Sequence, residues 1–155
     1  MKSAYLITEH KETALILEHL LPQFLVESTE IVAMNTRYSA QSLAGTLMSE
    51  RVPSGQRSYR PVALVLNADT TDKSAIQEQF SLINTLLLPA ANRAPYQVFL
   101  AVPTAASFIP QETESPTSLL EQLDHLSADQ IQSLRQQPLL QQLTQFLANA
   151  CTQAA

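Results

Sequence analysis

Two carboxylates, Glu9 and Asp69, each stand just beyond a short apolar run, Tyr5-Leu6-Ile7-Thr8 in one case and Pro61-Val62-Ala63-Leu64-Val65-Leu66 in the other. In an open parallel sheet, ligands bind beyond the carboxyl ends of the strands. Here those ends are Thr8-Glu9-His10, Asn35-Thr36-Arg37, Asn67 to Asp72 and Pro103-Thr104. Folding would therefore gather at one edge acids that lie far apart in the chain. Hard oxygen ligands so placed could hold Mg2+. The competing use of Glu and Asp after a strand is structural, as helix caps or solvated turn residues, and Asp72 is the natural N-cap of the helix that follows.

Other chemistries find less material. Gly45 and Gly55 are the only glycines, so neither a G-x-G-x-x-G turn nor a Walker A loop can be built. His10, His19 and His125 are widely separated, and a single Cys151 leaves no zinc spacing and no internal disulfide. No G-x-S-x-G elbow surrounds a serine, and Ser107 has no evident His and Asp partners.

The elements that must position the acids follow from periodicity. Tyr5 to Thr8 reads as a strand, and Leu17, Leu20, Leu21 and Phe24 place a helix over Lys11 to Phe24. Glu30 to Met34 reads as a second strand, followed by helical spacing of Ala40, Leu43, Ala44, Leu47 and Met48. Residues 51–60, RVPSGQRSYR, carry loop chemistry. Pro61 to Leu66 is nearly continuous apolar sequence, as expected of a central parallel strand covered on both faces. Ile76, Phe80, Ile83 and Leu87 mark a third helix ending before Pro89, and Gln97 to Val102 a fourth strand.

Strands alternating with helices imply a Rossmann-like, three-layer α/β domain on a roughly four-stranded parallel sheet, spanning residues 1–110. Residues 111–155 form a helical extension packed on the same domain. A polar connector, Pro110 to Pro116, leads into two or three short helices marked by Leu119, Leu120, Leu123 and Leu126, by Ile131 and Leu134, and by Leu140, Leu143 and Leu147. Ser127 is the expected N-cap of the second of these helices, and Pro138 the break before the third.

The chain has 155 residues and is 45% hydrophobic, enough apolar material for one core. No stretch approaches the roughly 20 apolar residues of a membrane span, and the opening Met1-Lys2-Ser3 meets too short an apolar run for a secretory signal. A cytoplasmic protein without a membrane partner is expected. Net charge is −5, which argues against broad non-specific nucleic-acid binding. The acidity is concentrated beyond Gln111, where Arg135 is the only base. Arg37, Arg51, Arg57 and Arg60 cluster around the 51–60 segment and read as a solvated basic loop.

Three segments resemble the topoisomerase-primase (Toprim) domain, in its small stand-alone and OLD-nuclease-like versions. Ala4 to Ala14 looks like the family's strand ending in Glu-Gly with a helix after it, Pro61 to Thr70 like the strand ending in Asp-x-Asp, and Val98 to Pro103 like the late strand that leads into Pro-x-x-Glu. The resemblance covers residues 4–110, in the family's order, and leaves the helical tail outside it. It implies that Glu9 acts as general acid or base and that Asp69, with Asn67 in the place of the first Asp, binds Mg2+ for phosphodiester chemistry. Asp72 could add a further metal oxygen.

The departures define the expectation. His10 replaces the glycine, Asn67 replaces an aspartate, and Thr104-Ala105-Ala106 after Pro103 brings no acid. Losing one negative charge weakens Mg2+ binding. The expectation is a degenerate Toprim-like domain that binds Mg2+ weakly or not at all and serves as a non-catalytic binding or regulatory module for nucleic acid, nucleotide or a protein partner. One alternative is a weak Mg2+-dependent nuclease using Glu9, Asp69 and either Asn67 or Asp72. Another is a receiver-like interaction domain, since Leu6 to His10 also resembles a receiver's first acidic loop. Asn67 then stands where the phosphoacceptor Asp belongs, and no Lys occurs from Tyr96 to Pro110. Strand number separates these last two, because the receiver class has five parallel strands.

Overall fold

In a computed structural model, residues 3–49, 60–88, 95–109 and 119–153 are described. The elements run β1 (Ala4–Thr8), α1 (Lys11–Leu20), α2 (Gln23–Ser28), β2 (Thr29–Ala33), α3 (Arg37–Ser49), β3 (Val62–Asn67), α4 (Lys73–Leu87), β4 (Tyr96–Ala101), α5 (Leu119–Asp124), α6 (Ala128–Arg135) and α7 (Pro138–Gln153). A 3-10 turn, Ala105–Phe108, follows β4. All strand pairings are parallel, in the order β2-β1-β3-β4. The fold is the expected three-layer, Rossmann-like α/β arrangement with a helical C-terminal part.

Side chains of successive strand residues point to opposite faces, and the core divides accordingly. Leu6, Ala63, Val65, Phe99 and Ala101 share one apolar cluster with Ile16, Leu17 and Leu20 of α1, Leu25 of α2 and Leu140, Leu143 and Leu147 of α7. Ile7, Val62, Leu64, Leu66, Val98 and Leu100 share the other with Ala40, Ala44 and Met48 of α3 and Ile83 and Leu87 of α4. Every residue of β3 is buried, which is why its sequence is continuous rather than alternating.

The first helix is shorter than its spacing suggests. Pro22 disfavours helical backbone at the residue before it, and Leu21 is extended (φ −71°, ψ 147°). The chain restarts as α2, where Leu25 enters the core while Phe24 is 58% exposed. Phe24 therefore does not complete the α1 stripe.

The tail forms three helices. Ser127 Oγ accepts from Gln130 N while Gln130 Oε1 accepts from Ser127 N, closing a capping box on α6. Pro138 opens α7, a position where its missing N–H costs nothing. Arg135 Nε donates to Leu20 O at 2.6 Å, satisfying a carbonyl at the end of α1. The 51–59 part of the basic loop, with Arg51 and Arg57, and the Pro110 to Pro116 connector lie outside the described residues. Among the described residues, no helix is long and apolar enough to cross a membrane.

Candidate functional site

The strand order places a topological switch point between β1 and β3. The connection leaving β1 passes through α1 to β2 on one side, and the connection leaving β3 passes through α4 to β4 on the other. A crevice for ligands opens between two such strand ends. In this chain it is bridged by the protein's own groups.

Glu9, the first residue past β1, is only 5% exposed. Its Oε1 accepts a hydrogen bond from the backbone N–H of Asn67, the last residue of β3, at 2.6 Å. Its Oε2 lies 3.8 Å from Arg37 Nε, an ion-pair distance too long for a hydrogen bond. Arg37, the first residue of α3, donates through Nη2 to the Asn67 carbonyl and through Nη1 to Gln79 Oε1 at 2.9 Å. Gln79, on α4, donates in turn from Nε2 to the Ala68 carbonyl at 2.9 Å.

Backbone polar groups at a strand end have lost their ladder partners and must find others if buried. At the end of β3 each is accounted for. Asn67 N–H goes to Glu9, Asn67 O to Arg37, Ala68 N–H to Ala101 O at 2.9 Å and Ala68 O to Gln79. The Asn67 side chain is also occupied, its Oδ1 accepting from Ala105 N at 2.9 Å. These bonds join the ends of β1, β3 and β4 to the start of α3 and the middle of α4.

The remaining candidates sit apart from this knot. Asp69 is exposed, takes a left-handed backbone (φ 59°) and donates its N–H to Pro103 O at 2.8 Å. Aspartate is among the few non-glycine residues that tolerate that region. Asp72 is exposed and caps α4, Oδ1 accepting from Ser74 N at 3.3 Å. His10 is exposed at the N-cap position of α1 and makes no side-chain cap. The structure thus brings Glu9 and Asn67 together and leaves Asp69 and Asp72 outside their hydrogen-bond network.

Mg2+ demands near-octahedral oxygen ligands. Glu9 gives one oxygen to a main-chain N–H and turns the other toward a guanidinium, Asn67 Oδ1 is spent on Ala105, and Asp72 is spent on a helix end. Among the described residues no three His, Cys, Asp or Glu side chains gather in a group that could hold a metal. The donor set does not fit Mg2+ in this arrangement.

Two participants escape a reading of the sequence. Arg37 looks like one member of a solvated basic cluster, yet it reaches inward to the strand ends. Its place was legible, directly after the second strand at one of the four edges where ligands are expected. Its partner was not, because a neutral N–H and a carbonyl complete the group. Gln79 carries no motif at all. Compared with protein-family models, curated proteins and solved structures, the chain matches none.

Proposed function

We propose that this domain is a non-catalytic binding or regulatory module, a degenerate Toprim-like domain whose ligand is a protein. The observation that carries the proposal is the state of Glu9. A general acid or base must come within hydrogen-bond reach of a substrate proton, and Glu9 is buried with its carboxylate engaged by Asn67 and Arg37. A protein partner is favoured over nucleic acid by the net charge of −5 and by how the described arginines are used. Arg37, Arg60 and Arg135 each bond groups of this chain, Arg60 through Tyr5 Oη at 3.3 Å and Glu30 at 3.9 Å. Phosphate binding draws on cations that are free to neutralise it, and among the described residues the exposed lysines, Lys11 and Lys73, stand singly at the starts of two different helices.

Supercoiled plasmid incubated with the wild type and with Glu9→Gln in Mg2+ or Mn2+ tests the proposal. Neither protein should nick DNA above the buffer control. Nicking by the wild type that disappears in Glu9→Gln would instead establish the weak nuclease.

A receiver-like interaction domain is the second candidate, favoured by one observation. The order β2-β1-β3-β4 repeats the first four positions of the flavodoxin-like order. Four strands rather than five are found among the described residues, and α5, α6 and α7 follow the fourth. Asn67, at the acceptor position, cannot take a phosphoryl group, so beryllofluoride with Mg2+ should leave the NMR spectrum unchanged.

A further inference from the structure

We infer that Arg37 is a resident counter-cation, filling beside Glu9 the electrostatic place that a divalent ion would otherwise take. The inference rests on the non-catalytic proposal and deepens it by naming what occupies the site.

A carboxylate as buried as Glu9 needs a compensating charge close by. Arg37, with Nε 3.8 Å from Oε2, is the cation that faces it among the described residues. Arg37 is also badly placed for its own helix. It is the first residue of α3, where the positive end of the helix dipole disfavours a cation. Lys11 and Lys73 begin α1 and α4 in the same way, but both are exposed and water screens them. Arg37 is half-buried, so its charge has to be answered by the protein, and Glu9 answers it.

The guanidinium is fixed as well as charged. Two of its nitrogens are spent on the Asn67 carbonyl and on Gln79, and Gln79 is itself held by the Ala68 carbonyl. Swinging Arg37 away would strand a strand-end carbonyl and a carboxylate together. Guanidinium does not lose its proton in proteins, so the cation is permanent where a metal ion would exchange. A divalent ion arriving at Glu9 would meet a like charge a few ångströms away.

The test is a double-substitution cycle on the full chain, with Glu9→Gln, Arg37→Met and the two combined, melted in EDTA and in 10 mM Mg2+ or Mn2+, an excess chosen as about 100 times a 0.1 mM affinity. The expected result is a wild-type Tm that Mg2+ and Mn2+ leave unchanged. Arg37→Met should lower Tm more in the presence of Glu9 than in the Glu9→Gln background, because only then is a carboxylate left buried without its cation. Arg37→Lys keeps charge but not the fork, and should fall between wild type and Arg37→Met. It also supplies the comparison if Arg37→Met fails to fold.

Equal losses in both backgrounds would overturn the inference. So would a saturable rise of wild-type Tm in Mg2+ or Mn2+ that Glu9→Gln removes. Such a rise without plasmid nicking overturns the counter-cation and leaves the non-catalytic proposal standing, whereas a rise accompanied by nicking overturns both.

Discussion

The backbone N–H of Asn67 donates to the carboxylate of Glu9 at 2.6 Å, joining residues 58 positions apart and closing the crevice between β1 and β3. A side chain that a catalytic motif would aim at a substrate is here aimed at the main chain. The consequences are measurable.

Glu9→Ala removes the acceptor of a buried N–H and the partner of a half-buried guanidinium at once. Removing one member of a buried pair costs about 3–5 kcal/mol. The unfolding free energy should fall by that amount, read as a lower urea midpoint with the m-value unchanged, and Glu9→Gln, which keeps an acceptor oxygen, should cost less.

Asn67→Asp installs an acid where the Toprim pattern, which the sequence resembles, carries one. It also puts a negative charge on a buried side chain whose Oδ1 accepts from Ala105 N, in addition to the buried charge of Glu9. A destabilisation of about 1–3 kcal/mol in chemical denaturation is expected, the scale of an unsatisfied buried polar group.

Asp69 provides the contrast. Its carboxylate is exposed and its backbone is left-handed. Asp69→Asn should change stability by less than about 0.5 kcal/mol, as surface substitutions do. Asp69→Val forces a β-branched residue into the same backbone and should cost roughly 1–2 kcal/mol.

Two changes probe the tail. Ser127→Ala breaks the capping box on α6 and should cost about 1 kcal/mol. Leu143→Ala, at a position with no exposure, should cost about 2–5 kcal/mol. Thermal melts of both, read against Asp69→Asn as the neutral control, give the measurement.

Much of the architecture was legible because strand and helix repeat at different periods. Val62 to Leu66 announces a strand buried on both faces, and Ala40, Leu43, Ala44 and Leu47 announce a helix on that strand's far side. Phe24 misled because its spacing from Leu17 and Leu20 is helical, while Pro22 ends the helix between them. Ser127 and Asp72 were legible as caps, since capping is a local matter of a few residues. At the strand ends, sequence pattern set Glu9 and Asp69 together as an acidic cluster with Asn67 beside them, whereas Glu9 bonds Asn67 and Asp69 lies outside the hydrogen-bonded group. What Glu9 would bond there was out of reach, because its donor is a peptide N–H that every residue but proline possesses. Arg37 and Gln79 entered the group through carbonyls, which leave no mark in a sequence either.

The Arg135 to Leu20 hydrogen bond carries a kinetic corollary, since its partners are 115 residues apart. At about 5–20 residues per second, a ribosome makes α1 on the order of ten seconds before the arginine that finishes it. The sheet face that α7 covers is complete once β4 ends at Ala101, and α7 begins only at Pro138, a gap of a few seconds at about the same rate. A nascent chain that has paired β4 before α7 is made carries that apolar face uncovered for the interval. A chaperone that shields nascent apolar surface would find its substrate during that interval.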